Sequence, residues 1–278
     1  MTDDAIFIPE GDAFMPTAKA ASPWGPGLLH GGPPAGLLAR AVERAKTDAD
    51  MHVSRLTIDR FRPVPSQPLR TEVRTLRQGR RIAVLEASLI AGDTEVSRAT
   101  ALLLRQSEVS LPANALPPER WVPAHEGVPT TSMSGTFRAD ADGQRRGPSG
   151  GATLPGFHTA VEVRRVGGEP GSGRATAWIR IPVPFVAGEE TTPLVRVAAL
   201  SDFGNALGHV RPNEEVGFIN ADITLYLHRL PEGEWVCLEA HGVAQEHGLG
   251  MVETVVLDMH GPIGRVCQAL IVNRRHQE

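Results

Sequence analysis

Asp202 lies in the last third of the stretch Thr192–Gly208, whose other residues are almost all small or apolar. The stretch predicts one helix. Thr192 can cap the first free amides, Pro193 suits the first helical position, and Gly208 offers the left-handed residue that closes many helices. A helix of this composition is buried nearly all round, and a carboxylate on it is costly unless paired or used. Two readings are open: Asp202 points to solvent, or it works as a base or nucleophile. Other chemical signals are weaker. Gly147-Pro-Ser-Gly-Gly151 spells the G-x-S-x-G nucleophile turn, but it lacks the strand before it and helix after it that such a turn needs. His125-Glu126 has no second histidine at zinc-binding spacing, and Cys237 and Cys267 have no basic neighbour in sequence to activate a thiol. His228, beside Arg229 at a predicted strand end, reads as structural or exposed.

Composition narrows the class. The chain has 278 residues, 41% apolar and 22% charged, which suits a globular protein with a sizeable core. A net charge of -4 argues against nucleic-acid binding. No apolar run approaches the ~18 residues that span a bilayer. The acidic start Met-Thr-Asp-Asp-Ala-Ile-Phe lacks a signal peptide's layout, and two cysteines give neither a disulfide framework nor a metal cluster. The expected setting is the cytoplasm, without membrane, metal or cofactor; there is no phosphate loop and no dinucleotide fingerprint.

The elements that must position Asp202 come in two similar sets. Short apolar pieces before residue 24 predict one or two edge strands. Pro33 and Pro34 then open an amphipathic helix with Leu37, Leu38, Ala41, Val42 and Ala45 on one face and Arg40, Glu43 and Arg44 on the other. Four strands follow: Val53 to Arg62, Leu69 to Arg77, Ile82 to Ile90 and Glu95 to Arg105. Residues 106–155, rich in Pro, Gly, Ser and Asp, read as a long linker in which a piece around Trp121-Val122 docks on the surface. Strands over Thr159 to Val166 and Arg174 to Ile181 lead to the Asp202 helix. Four more then run Gly217 to Arg229, Trp235 to Gln245, Met251 to Met259 and Arg265 to Asn273. Setting Arg62 on Arg229 places Thr57 on Thr224. One inserted residue then brings Ala101-Leu-Leu-Leu104 onto Ala269-Leu-Ile-Val272. This is a duplication of pattern, with an N-terminal unit at 1–105, a linker at 106–155 and a C-terminal unit at 156–278.

Leu29-His-Gly-Gly, Phe61-Arg-Pro63 and Val73-Arg-Thr-Leu-Arg-Gln-Gly79 resemble the N-terminal half of type II acyl-CoA thioesterases. Leu200-Ser-Asp-Phe203, Ala221-Asp222, His228-Arg229 and Val266-Cys-Gln268 resemble the C-terminal half. The resemblance covers about residues 20–105 and 155–275. It implies an α+β double hotdog, two antiparallel sheets each wrapped around a long helix and joined so that one chain mimics a dimer. It also implies an acyl-CoA substrate, no cofactor, a role in fatty acid metabolism, and a site of an acid, a hydroxyl and a glutamine that hold and activate a water. The acid falls on Asp202 and the glutamine on Gln268, while the hydroxyl position holds Asn220, a departure. On this reading Asp202 has a pKa raised by desolvation and countered by hydrogen bonds from Gln268 and Asn220. The first half lacks a carboxylate around Ala39-Arg40, and Thr100 stands where the second half has Gln268, so the first half supplies an opposing wall.

Free amides at the helix start would let Gly31 and Gly32, next to His30, hold the thioester oxygen; equally, the two glycines would only allow close packing. Arg77, Arg80 and Arg81 are candidates for the CoA phosphates, with solvated surface charge as the plainer account. An enoyl thioester hydratase or dehydratase is the alternative within this fold, although Asp202 to His209 is too long a spacing for an Asp/His motif. A non-catalytic acyl-binding protein is a third reading. An open sheet edge would suit a homo-oligomer.

Overall fold

The computed structural model describes residues 4–23, 25–115, 122–133, 155–169, 171–210 and 216–274. The hairpin β1 (Phe7–Glu10) and β2 (Ala13–Pro16) precedes α1 (Gly32–Ala45), and β3 (Met51–Arg60), β4 (Leu69–Gln78), β5 (Ile82–Ala91) and β6 (Thr94–Arg105) follow. The later elements are α2 (Phe157–Ala160), β7 (Glu162–Gly168), β8 (Arg174–Arg180), α3 (Pro193–Ser201), α4 (Phe203–Leu207), β9 (Val216–Asn220), β10 (Asp222–Leu227), β11 (Val236–Ala244), β12 (Leu249–Asp258) and β13 (Gly261–Arg274). This is a double hotdog.

The two predicted sheets join, as expected, into one continuous sheet. Strand order is β1-β2-β4-β5-β6-β3-β10-β13-β12-β11-β8-β7, with β9 beside β13, and every named strand pairing is antiparallel. The halves meet at β3 and β10, where Thr57 lies directly opposite Thr224. These are the residues that the sequence repeat superposes, so the approximate two-fold passes through that pair. Alternation along β3 turns Leu56 and Ile58 into the core, and Arg60 is the next residue on that face.

Inside the sheet, α1 packs on β4 and β5 and against α3, while α4 packs on β11 and β12. The start of α1 meets the end of α3, since a Cβ on Gly32 would lie 2.5 Å from the Ala199 carbonyl oxygen. The other ends also meet, Thr192 Oγ1 donating to Glu43 at 2.6 Å, so the two helices run antiparallel. Thr192 caps α3 as expected, accepting from the Val195 amide at 3.3 Å.

Three local expectations change. The helix predicted as continuous through Leu207 is divided at Asp202, which keeps helical dihedrals (φ -62°, ψ -27°) while the hydrogen-bonded ladder restarts at Phe203. The strand predicted from Gly217 to Arg229 is split at Ala221. Asn220 pairs with Leu270 but Thr224 pairs with Cys267, so β9–β10 carries one extra residue, a bulge. Asp222 Oδ1 closes the gap by accepting from the Ala269 amide at 2.6 Å. Finally, Thr159 and Ala160, predicted as strand, belong to the helical turn α2, closed by Gly156 N–H donating to Thr159 Oγ1 at 2.9 Å.

Part of the segment read as linker is docked. Thr131 pairs with Val163, Val122 packs on the cluster of Trp178, Cys237 and Leu257, and Trp178 Nε1 donates to the Pro123 carbonyl at 2.8 Å. Trp121 and Gly147–Gly151 lie outside the described residues.

Candidate active site

Asp202 is buried, with 7% of its surface exposed, so it does not point to solvent. Its carboxylate lies at the seam between the halves. Arg60, from the end of β3, donates through Nη2 to Asp202 Oδ1 at 2.6 Å. Asn220, at the bulge, donates through Nδ2 to the same oxygen at 3.0 Å. Arg60 Nη1 lies 3.3 Å from Asn220 Oδ1, which closes a three-residue ring. The other oxygen, Oδ2, is 3.0 Å from Nδ1 of His30.

Asparagine at the hydroxyl position fits this ring. A guanidinium only donates and a carboxylate only accepts, so a residue between them must present an acceptor to one and a donor to the other. The Asn220 amide spans both at once and is thereby fixed in orientation.

The electrostatics reverse the sequence expectation for Asp202. Burial opposes its ionisation, but the Arg60 guanidinium, then His30 and Asn220, outweigh burial and hold the carboxyl far below the usual carboxylate range. Asp202 is held as an anion, with Oδ1 accepting twice and Oδ2 facing His30. Its intrinsic basicity is correspondingly small.

Gln268 is not among its partners. Fully buried on β13, it has neither polar side-chain atom hydrogen-bonded, and it lies under Gly204, where an added Cβ would sit 2.7 Å from Gln268 Oε1 and 2.6 Å from Thr254 Oγ1. Thr254 Oγ1 and Asn205 Oδ1 are also buried without a partner. A buried, unpaired polar atom costs about 1–3 kcal/mol, so a cluster of them is a place for water or substrate to repay.

The start of α1 is crowded. A Cβ on Gly31 would overlap the Arg60 guanidinium, and one on Gly32 would lie 2.6 Å from the Phe157 ring. Neither position has room for a side chain. The Gly32 amide lies 3.2 Å from His30 Nδ1. The His30 ring packs against both Phe203 and Phe157, at centroid distances of 5.0 and 5.4 Å, while those two rings stack on each other at 5.3 Å. His158, on the adjacent α2, is 4% exposed with Nδ1 unpartnered; burial and then the charge of His30 push its pKa down to about 4.

The structure thus joins Asp202 and Asn220, leaves Gln268 two residues along under Gly204, and adds two first-half residues, Arg60 and His30. Arg60 belongs to no motif in the sequence; its one signal there is a charge on the inward face of β3. Among the other candidates, His228 is exposed and its neighbour Arg229 locks the buried Asp258. Burial pushes the Cys267 thiol up, away from the reactive thiolate. Arg77, Arg80 and Arg81 are exposed. Among the described residues, no three His, Cys, Asp or Glu are grouped to hold a metal, and no helix is long and apolar enough to cross a membrane.

Comparison with known proteins agrees with this architecture. The family described as "Acyl-CoA thioesterase N-terminal domain" matches residues 20–104, and "Acyl-CoA thioesterase C-terminal domain" matches residues 138–272. The chain belongs to this acyl-CoA thioesterase family and is a thioesterase by class. Among solved structures it is similar to one from Novosphingobium aromaticivorans assigned as a thioesterase, with TM-score 0.69 and 19% identity over 96% of this chain and 98% of that one. It is also similar to a hot dog protein of unknown function from Alicyclobacillus acidocaldarius, with TM-score 0.66 and 18% identity over 99% and 98% of the two chains. The tesB protein of Mycobacterium avium subspecies paratuberculosis gives TM-score 0.64 and 15% identity over 96% and 95%. These likenesses show the fold. A comparison with curated protein sequences returns no match.

Proposed function

We propose that the chain hydrolyses an acyl-CoA thioester to a carboxylic acid and CoA, without a cofactor, at the corner where Asp202, Asn220, Arg60 and His30 meet. The observation that carries this reading is the ionised, nearly buried carboxylate of the second half, gripped by an arginine of the first. A fixed negative charge at a nearly closed corner can orient a water or a proton-carrying group toward a thioester carbonyl. Asn220 belongs to the corner through its bond to Asp202. Gln268 is proposed as a further water or substrate contact, because its buried amide has no protein partner. Gly31 and Gly32 are placed beside the same corner, where their amides remain candidates for the thioester oxygen. The test is thiol release from acyl-CoAs of graded chain length by the parent and by Asp202→Asn. Turnover by the parent and a loss of about 10²–10⁴-fold in the variant are expected. Equal rates would remove Asp202 from the reaction.

One observation favours a second reading. An imidazole from one half facing a carboxylate from the other, 3.0 Å apart, also suits proton removal beside a thioester carbonyl, as a hydratase or dehydratase requires. Loss or gain of enoyl thioester absorbance without thiol release would favour it. Binding of acyl-CoA with neither reaction would point to a non-catalytic binding protein. Action in fatty acid metabolism, a cytoplasmic setting and a homo-oligomer are proposed with the thioesterase reading and stand on its family alone.

A further inference from the structure

Asp202 presents a difficulty for its own expected role. Hydrolysis needs a group that takes a proton from water, and a carboxylate that already accepts from a guanidinium and an amide has little affinity for one. The group beside it is an imidazole, with a second ring nitrogen that the carboxylate does not occupy. His30 stands with Nδ1 toward Asp202 Oδ2 at 3.0 Å, its ring held against the stacked pair Phe157 and Phe203, and 11% of its side chain remains exposed. An imidazole is the side chain whose ordinary range brackets neutral pH.

We propose that His30 is the general base of the thioesterase reaction and that Asp202 is the anion that orients it. This rests on the thioesterase reading above. A proton on Nδ1 donates to Asp202 Oδ2, which leaves the Nε2 lone pair to face the water. Only one of the two neighbours of Nδ1 can be satisfied at a time, the Gly32 amide or the carboxylate, and the charged acceptor is the stronger partner. In the step itself, Nε2 takes one proton as the water oxygen bonds to the carbonyl carbon and the carbonyl electron pair moves onto oxygen. The resulting imidazolium lies against Asp202. Collapse re-forms the carbonyl, breaks the C–S bond, and returns the proton from Nε2 to the departing sulfur, giving acid and CoA thiol.

Arg60 keeps Asp202 anionic throughout, so the proton remains on the ring. The charged and titratable groups around His30 are Asp202 from the α3–α4 break, Arg60 from β3 behind that carboxylate, and His158 from α2. His158 stays neutral at working pH and adds no competing charge.

The test is the pH dependence of kcat/KM for thiol release by the parent and by His30→Gln, with affinity for a non-hydrolysable thioether acyl-CoA and thermal unfolding measured on both. The expected result is a loss of about 10²–10⁴-fold and disappearance of the acid-side ionisation seen in the parent, with thioether affinity and folding retained. A His30→Gln variant that hydrolyses with the parent's rate and profile would overturn the base assignment while leaving the thioesterase reading intact. So would a loss in rate with the acid-side ionisation unchanged, because a merely structural histidine gives that result. A parent that releases no thiol would overturn the thioesterase reading itself, and the base assignment with it. If His30→Gln unfolds, the same measurement on His30→Asn decides between these outcomes.

Discussion

The two antiparallel helices produce two corners, one at each end, and the corners have been built for different ends. At one, where the end of α1 meets the start of α3, Glu189 takes a bidentate pair from Arg40 at 2.5 and 2.7 Å and a second contact from Arg44 at 3.1 Å. The Arg40 guanidinium lies over the Phe14 ring, and Glu43 accepts from Thr192. Hydrogen bonding to Arg40 outweighs burial and holds the Glu189 carboxyl below its usual value. At the other corner, Asp202 also holds an arginine, but its second oxygen faces a histidine and its surroundings contain unpaired polar atoms. The first corner is a saturated strut. The second sets a carboxylate between an arginine and an imidazole, and on the proposal above that difference separates a site from a brace.

The sharpest way to break this comparison is to remove an acid from each corner. Asp202→Ala leaves Arg60 partly buried and uncompensated and should cost about 3–5 kcal/mol of stability, with thiol release falling by about 10²–10⁴-fold. Glu189→Ala, in a more exposed setting, should lower the melting temperature by less and leave kcat unchanged. A fall in kcat for Glu189→Ala comparable to that at Asp202 would erase the distinction. A smaller effect is expected at Gln268. If its orphaned amide only fills space, Gln268→Leu should be neutral or slightly stabilising, since an apolar group of similar shape avoids a desolvation cost of about 1–3 kcal/mol. If it holds water or substrate, activity falls while stability does not. The proposed site role predicts that separation, and unchanged turnover would contradict it.

Acid should distinguish the corners further. Asp202 and Glu189 are both held below their unfolded values, so each contributes stability above about pH 4 that is lost as pH falls through its folded value. His158 acts in a higher window. Its folded pKa of about 4 lies below the ordinary 6.5, so between those values the unfolded chain binds the extra proton and stability falls with pH. At pH 5 this amounts to about 2 kcal/mol relative to pH 7. Melting curves at the two pH values should show the loss in the parent and much less of it in His158→Phe. The smallest change expected is Gly31→Ala: the Arg60 guanidinium is the end of a flexible side chain and can move aside, so folding survives while the grip on Asp202 loosens. A modest fall in kcat/KM with a small drop in melting temperature would show it.

Much of the fold was legible because its signals are periodic. The four strands after each helix were readable from alternation and turn residues, and the repeat made Thr57 and Thr224 equivalent, the pair that the structure then sets opposite each other. Irregular features were harder. The bulge at Ala221 exists because one strand of a pair carries an extra residue, which only the partner's register reveals. The interruption at Asp202 leaves helical dihedrals, so composition and caps gave no warning of it. The site was half visible for the same reason. Asp202 stood out as a carboxylate on an apolar helix and Asn220 came only through the family resemblance, whereas the Arg60 contact depends on two strands meeting across the two-fold. The raised pKa expected for Asp202 was wrong because burial was weighed without the cation that tertiary structure brings to it.

The most direct measurement is steady-state thiol release from acyl-CoA by the parent and by Asp202→Asn, a change that keeps the side chain's shape and removes its charge. Turnover by the parent and a loss of about 10²–10⁴-fold in the variant are the predicted result. Parent-level turnover by a folded Asp202→Asn enzyme would contradict the role given to that carboxylate.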